Sequence, residues 1–306
     1  MKKKVKLFAV LLTVVLVAGA GIFYACEKTK DSVKMDFSEI DKISAEIGEF
    51  HTYAMTKFID EVSSSKDIVI VDQNYINKLT LFFEKEMLNY DFKHLKLDDY
   101  PSNFSDIYDY STYQKICSTI KKGYDFSVFS SIENTSNTKA TVMLATSSRI
   151  VTPNYILIEK KCKNIENKME SLVTINNTFK EVQTAYLKFI TEELKDVTNI
   201  NDYTYLRYYA DVYISSFEYW VDYYSKNGAK GWLRDTWNKV KEGVAVDAGG
   251  AVAGGIYGAY TGAAAGSVVG GVGAAPGVVA GMASGAVVGA CATSAGWAVT
   301  KLVSGN

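Results

Sequence analysis

The chain has 306 residues, of which 48% are hydrophobic, and its 33 basic residues nearly balance its 34 acidic residues. This length is sufficient for a domain with its own hydrophobic core. The formal net charge of −1 gives no electrostatic basis for binding nucleic acid, because phosphate backbones attract proteins through clustered Lys and Arg. The composition therefore indicates a globular protein without a nucleic-acid partner.

The first residues have the order of a secretory signal peptide. Lysines within the first six residues precede the apolar run Leu7–Tyr24, and Cys26 follows directly after Ala25. A cysteine after a small residue resembles the signal of bacterial lipoproteins, in which the peptide is cut before the cysteine and the cysteine is acylated. The alternative is a signal anchor, in which Leu7–Tyr24 stays in the membrane as a short transmembrane helix.

The lipoprotein resemblance implies a signal peptide over residues 1–25, a lipid on Cys26 and a tether over residues 26–34. It also implies a lipid-anchored protein of the bacterial cell envelope. Glu27, directly after the cysteine, is similar to the tether of lipoproteins displayed on the outer membrane. The outer membrane is therefore the expected location.

The other three of the four cysteines have different expected roles. Cys291 lies in a glycine-rich tail, where a thiol behaves as a small apolar side chain. Cys117 and Cys162 lie in the middle of the chain and either form a disulfide in an oxidising compartment or remain free thiols. No Cys or His spacing indicates a metal site.

Residues 35–226 form the predicted helical domain, because apolar residues recur at helical spacing almost throughout. The segment Asp36-Phe-Ser-Glu39 is a capping box that opens the first helix, and its apolar stripe runs from Ile40 to Val62. The apolar run Ile68–Val71 fits either a strand or a connector. Two further helices are predicted at Asn74–Tyr90 and Ser105–Lys122, and Ile132–Ser148 has no assigned structure.

The longest regular pattern follows Pro153. From Ile158 to Ile190 the apolar residues alternate in steps of four and three, which predicts one helix of about 40 residues in a bundle. Asn176 and Gln183 interrupt this seam as polar insertions that fix helix register. The predicted fold class is mainly α: a helical bundle with one long helix, followed by a C-terminal glycine-zipper helical hairpin.

Aromatic side chains concentrate between residues 203 and 224. Helical spacing predicts that they pack in the bundle core, with their hydroxyls reaching water. The alternatives are a platform that binds a surface glycan or protein partner, and an aromatic belt near lipid. The face consists of Tyr205, Tyr209, Tyr213, Phe217, Trp220 and Tyr224.

No catalytic pattern is present in the sequence. The two histidines, His51 and His94, belong to no recognised motif, and His51 is predicted at the boundary of the first apolar stripe. No phosphate-binding glycine loop ending in Lys occurs. The sequence therefore predicts no catalytic, cofactor-binding or metal-ligating residue, and a protein that is not an enzyme.

Glycine recurs at every fourth residue in the C-terminal segment 244–306, and no charged side chain occurs between Ala248 and Thr300. On a helix, residues four apart share a face, so this spacing predicts a groove for the close approach of another helix. The predicted helix-packing glycines are Gly250, Gly254, Gly258, Gly262, Gly266, Gly270, Gly277, Gly281, Gly285 and Gly289.

The glycine segment divides into two arms, Ala248–Gly270 and Gly277–Thr300, at a glycine-rich turn that ends in Pro276. Each arm is about 35 Å long, close to the roughly 30 Å of a bilayer core, so the partner is predicted to be a lipid bilayer. Asp247 stands at the edge of the first arm and opposes insertion.

Tryptophans flank the open ends of the hairpin. An amphipathic lead-in over residues 231–243 contains Trp232 and Trp237, and Trp297 stands near the end of the second arm. Tryptophan at both open ends is typical of anchoring at a membrane interface.

The tail is similar to glycine-zipper outer-membrane lipoproteins and to the Gly/Ala-rich helices of class II bacteriocins. This resemblance implies close helix packing, either in a membrane or through self-association. The predicted function is a membrane-anchored, non-enzymatic lipoprotein with an envelope-structural or bacteriocin-like role. Two alternatives stay open: a hairpin that packs against the helical domain or self-associates in water, and a surface module that binds glycan or protein through the aromatic face.

Overall fold

A computed structural model describes residues 37–64, 71–95, 110–121, 124–129, 153–176, 178–226, 233–267 and 274–304. Within these ranges the chain forms eight α-helices and one 3-10 turn, without a strand, which confirms the mainly α bundle. The helices are α1 (Phe37–Ser64), α2 (Gln73–Asn89), α3 (Tyr110–Lys121), α4 (Tyr155–Ile175), α5 (Phe179–Leu194), α6 (Ile200–Lys226), α7 (Leu233–Ser267) and α8 (Ala274–Ser304), with the 3-10 turn at Phe126–Phe129.

The early helices follow the predicted periodicity. The α1 stripe from Ile40 to Phe58 is buried, whereas Val62 is half-buried. Helix α2 begins after Asp72, whose carboxylate accepts a 2.9 Å hydrogen bond from the Tyr75 amide. Such a cap satisfies a backbone donor that has no partner inside the helix. The predicted segment Ile132–Ser148 lies outside the described residues.

The predicted long helix after Pro153 is wrong, because the chain leaves helical geometry between α4 and α5. Asn176 has extended backbone angles, φ −108° and ψ 151°, and its side-chain amide donates to the Leu172 carbonyl at 2.8 Å. Thr178 and Glu181 then form a reciprocal capping box. Local side-chain bonds of this kind compete with a continuous helix. Asn176 therefore ends a helix and does not set the register of one.

Helix α6 lies at the centre of the bundle, and α1 runs beside it in the same direction. The rings of Phe37 and Tyr203 are 4.5 Å apart near the start of both helices. Further along, the Tyr219 hydroxyl donates to the Met55 carbonyl at 3.4 Å. The two helices are therefore parallel along most of their length.

Helices α4 and α5 form an outer pair on the bundle. The Asn154 amide, just before α4, donates to Asp202 Oδ1 at 2.8 Å, so α4 begins beside the start of α6. Lys161 and Glu193 form an ion pair of 3.3 Å between α4 and α5, which shows that α5 returns along α4. The first turns of α1, α4 and α6 thus lie together at one end of the bundle, called here the N-terminal pole.

The α7–α8 hairpin shares one core with the preceding helices. Helix α7 runs antiparallel to α6: Gly255 lies beside Tyr205, and Asp247 lies beside Ser216. Helix α8 packs on α7 and also touches α1, α2 and α3. The predicted lead-in is continuous with the first arm, because α7 extends unbroken from Leu233 to Ser267.

Candidate functional site

The two arms of the hairpin meet along their glycine faces, backbone against backbone. A Cβ atom at Gly254 would lie 2.9 Å from Gly289 Cα, and one at Gly258 would lie 2.6 Å from the Gly281 carbonyl carbon. A Cβ atom at Gly250 would lie 2.6 Å from the Gly289 carbonyl oxygen. Side chains at these positions would collide with the facing backbone. The occupant of the glycine groove is therefore the other arm of the same chain.

The structure describes the remaining predicted packing glycines to different extents. Gly285 belongs to the same contact on the α8 side. Gly262 and Gly266 continue the helical backbone of α7, and Gly277 lies in the first turns of α8; what they contact falls outside the described side chains. Gly270 lies outside the described residues.

The second arm is shielded from water. The segment Ala280–Lys301 is long and apolar enough to cross a membrane, with a mean hydropathy of 1.3, and its apolar window is wholly buried in the structure. The ring of Tyr113 on α3 approaches so closely that a Cβ atom at Gly296 would lie 2.6 Å from it. Core helices and membrane-spanning helices share this length and composition. In this structure the segment is a core helix.

Two of the predicted membrane-interface tryptophans pack inside the bundle. The Trp237 indole N–H donates to Glu170 Oε2 at 2.7 Å, and its ring contacts Phe217 at 5.0 Å between centroids. Trp297 contacts Trp220 at 5.3 Å. Both side chains are therefore buried, and a role at a membrane interface would require them to move. Trp232 lies outside the described residues.

A buried polar centre joins the hairpin to α1 and α6. Asp247 on α7 is fully buried, and the Ser216 hydroxyl of α6 donates to its Oδ2 at 2.5 Å. His51 Nε2 on α1 lies 3.6 Å from the same oxygen. The Ser294 hydroxyl of α8 and the Trp220 indole N–H also face the carboxyl group. Residues from four helices thus converge on one ionisable group in an apolar core.

Burial moves the two titratable groups of this centre in opposite directions. It raises the pKa of the Asp247 carboxyl to about 7, against a smaller lowering by the hydroxyl and indole donors that face it. It lowers the pKa of the His51 ring to about 3. Both effects arise because a low-dielectric interior disfavours the charged form of each group. Between these values the pair is neutral, with its proton on Asp247.

No pattern in the sequence predicted this centre. The prediction that His51 lies at the edge of the stripe is wrong, since its side chain is fully buried. A signal was available: His51 lies four residues after Ile47 and four before Met55, and both are buried. Its proximity to Asp247 could not be inferred, because almost 200 residues separate them and no periodic pattern pairs distant helices.

The aromatic face of α6 lies in the core. Tyr205, Tyr209, Tyr213, Phe217 and Trp220 are buried, and Tyr224 is half-buried. The Tyr209 hydroxyl bonds to that of Tyr124 at 2.8 Å. A glycan or protein partner could stack on these rings only if the bundle opened.

Other candidate chemical groups have structural positions. Cys117 is half-buried and Cys162 is buried, and no disulfide joins them, so the predicted alternative of a disulfide between these two cysteines does not hold here. The His94 ring lies 2.9 Å from Glu46, which also accepts hydrogen bonds from backbone amides after α2. No group of three or more His, Cys, Asp or Glu side chains among the described residues could hold a metal ion. Cys26 lies outside those residues.

Other proteins supply no template for this site. No protein family, no curated protein and no solved structure matches the chain.

Proposed function

We propose that the protein is a non-enzymatic lipoprotein of the bacterial cell envelope, anchored through Cys26, whose glycine-zipper hairpin leaves the bundle and inserts in a lipid bilayer. The observation that carries this proposal is the way the hairpin is held. Its internal contact is made of backbone, and its cover is made of apolar side chains from other helices.

The internal contact of the hairpin does not depend on the bundle. Where the structure describes the two arms they are helical, so their backbone groups are paired inside their own helices, as a bilayer requires. The hydroxyls of Ser284 and Thr293 also donate to carbonyls of α8 itself, at 2.7 Å to Ala280 and Gly289. The two arms therefore retain these bonds and their close contact when lipid replaces the surrounding helices.

Lipid can replace most of what covers the hairpin. The contacts of α7 and α8 with α6 and α1 are largely between apolar and aromatic side chains, and hydrocarbon tails make equivalent contacts. Asp247 is the main exception, because it bonds to Ser216. It stands just before the first arm, so it would lie at the bilayer edge, where a charged side chain costs less than at the centre.

Self-association through the glycine face is not favoured in the closed bundle. Each arm occupies the groove of the other, and a second copy would have to displace it. Recognition of a glycan through the α6 rings is disfavoured for a similar reason, because those rings are buried. Insertion requires only that the covering helices separate.

An engineered disulfide between α1 and α6, two of the helices that cover the hairpin, tests this proposal. A Cβ atom at Gly48 on α1 would lie 3.3 Å from Ser215 Cβ on α6, near the roughly 3.5–4.5 Å of a disulfide. The Gly48→Cys/Ser215→Cys protein is made with Cys26→Ser to remove the lipid site. When its disulfide is oxidised, we expect it neither to bind liposomes nor to release dye from them. After reduction it should float with liposomes, resist carbonate extraction and release trapped dye.

The single variants Gly48→Cys and Ser215→Cys, treated with the same oxidant, control for the substitutions and for the native thiols. Equal dye release from the oxidised and reduced double variant would contradict the proposal that α1 and α6 must separate before the hairpin inserts. If the Cys26→Ser parent, which lacks the two engineered cysteines, does not bind liposomes, the glycine contact between the two arms serves only to pack the core. Mass spectrometry of the mature N-terminus tests the lipid on Cys26 separately.

A further inference from the structure

Large apolar side chains are exposed at the N-terminal pole. The exposed fraction is 82% for Ile156 in the first turn of α4, 39% for Phe37 at the start of α1 and 36% for Ile200 at the start of α6. Scattered exposed apolar residues are common on protein surfaces, but several on one patch mark an interaction site.

These three residues lie at the same end of the bundle. The Phe37 ring packs on Tyr203, one turn after Ile200, with centroids 4.5 Å apart. Asn154, two residues before Ile156, donates its amide hydrogen to Asp202 at 2.8 Å. The starts of the three helices are therefore neighbours, and their exposed apolar side chains share one end of the bundle.

The chain that leads to this pole comes from Cys26. The intervening residues 27–36 are Glu-Lys-Thr-Lys-Asp-Ser-Val-Lys-Met-Asp, a charged segment unsuited to covering an apolar patch. The eleven residue steps from Cys26 to Phe37 span at most about 40 Å. A lipid on Cys26 would therefore hold Phe37 and the rest of the pole within this distance of a bilayer.

The hairpin also points toward this pole. Gly255 lies against Tyr205, and from there α7 continues to Ser267, about 18 Å further at 1.5 Å per residue. Helix α6 begins at Ile200, only about 8 Å from Tyr205 on the same scale. The far end of α7 thus extends beyond the start of α6, on the side of the exposed apolar residues.

We propose that the N-terminal pole is a membrane-docking surface, on which Phe37, Ile156 and Ile200 enter the interface of a lipid bilayer. This inference rests on the proposed lipid at Cys26, and it gives the bundle an orientation: the hairpin is presented to the membrane with its α7–α8 connection first. Docking through apolar side chains is insensitive to salt, unlike docking through charge.

Two exposed isoleucines on α4 provide a matched test. Ile156 lies at the pole, whereas Ile175 ends the same helix at the opposite end and is 69% exposed. Ile156→Cys and Ile175→Cys are each made in the lipidated chain with Cys117→Ser, labelled with an environment-sensitive fluorophore, and reconstituted on vesicles of phosphatidylethanolamine and phosphatidylglycerol. We expect quenching by aqueous acrylamide to fall about threefold for the Ile156→Cys label only, because side chains at an interface lose contact with water.

The same labels in the unlipidated Cys26→Ser chain, free in solution, complete the test. Equal quenching of both labels on vesicles would overturn docking at the pole. Protection of the Ile156→Cys label without vesicles would also overturn it, since protein from this chain or a second copy would then cover the patch. Protection on vesicles that release no dye would uphold docking and contradict hairpin insertion, so the two proposals fail separately.

Discussion

Helix α7 has two buried faces that are built in opposite ways. Toward α8 it presents glycines, and at Gly254 and Gly258 the two helices meet backbone to backbone. Toward α6 it meets aromatic rings, among them Tyr205, Phe217 and Trp220. The first contact tolerates no added atom, and the second tolerates no removed ring. The two faces of α7 are equally buried, but one requires glycine and the other requires large side chains on its partner helix.

The aromatic contact should show the largest effect. Phe217 is fully buried between Phe179 and Trp237, with centroid distances of 5.6 and 5.0 Å. We expect Phe217→Ala to lower the free energy of unfolding by about 3–5 kcal/mol, because a cavity adds to the lost burial. Urea denaturation measures the change. Phe217→Leu keeps most of the volume, and a loss as large as that of alanine would argue against a close-packed contact.

Adjacent glycines test the zipper contact. A Cβ atom at Gly254 would lie 2.9 Å from Gly289 Cα, whereas one at Gly255 would meet Met282 and Tyr205 at an ordinary 3.4 Å. We expect Gly254→Ala to lower the free energy of unfolding by about 2–3 kcal/mol through overpacking. Gly255→Ala should be neutral or stabilising by up to about 1 kcal/mol, because alanine favours helix. Equal effects in thermal unfolding would contradict the backbone contact.

The buried polar centre should appear in the pH dependence of stability. Because the pKa of Asp247 is raised to about 7, the folded state keeps a proton on this carboxyl at pH values where the unfolded chain has released it. The contribution of Asp247 to the free energy of unfolding therefore falls as pH rises toward 7. The lowered pKa of His51 has the opposite effect on stability. Below the ordinary pKa of histidine the unfolded chain binds a proton on this ring that the folded state does not bind, so the free energy of unfolding rises as pH rises from about 3. In the native pair the two slopes cancel over the weakly acidic range.

Single substitutions should uncover each slope. In Asp247→Asn only the His51 slope remains, so its free energy of unfolding should rise by about 2 kcal/mol between pH 4.5 and 6.5, relative to the parent protein. In His51→Gln only the Asp247 slope remains, so its free energy of unfolding should fall by about 2 kcal/mol over the same range. Urea denaturation at several pH values measures both. The sign distinguishes the two variants, so slopes of the same sign would show that the centre does not titrate as a neutral buried pair.

The smallest effect concerns single tyrosine hydroxyls in the core around α6. The Tyr186 hydroxyl donates to the Ala210 carbonyl at 2.9 Å, whereas the buried Tyr208 hydroxyl makes no hydrogen bond within the described part of the chain. We expect Tyr186→Phe to lower the free energy of unfolding by about 1 kcal/mol. Tyr208→Phe should be neutral or slightly stabilising, since it removes an unsatisfied buried group. A greater loss for Tyr208→Phe would contradict this assignment.

Helix type and helix faces were predictable from the sequence. The stripe from Ile40 to Phe58 and the second helix from Asn74 are found as predicted, because side-chain periodicity follows directly from helix geometry. The break at Asn176 was missed, although its caps are local. There the heptad pattern of apolar residues continues across the break, and hydrophobic spacing alone does not distinguish one long helix from two helices that bury the same face.

The spacing of the glycines was enough to predict that the C-terminal segment packs helix on helix, because larger side chains at these positions would hold the backbones apart. The helices that cover the hairpin and the residues that meet Asp247 depend on tertiary packing. An apolar face indicates that it must be covered, but water-exposed helices, a second copy and lipid satisfy that need equally well. In this structure the cover is α1, α2, α3 and α6 of the same chain, and their packing brings His51 and Ser216 to Asp247.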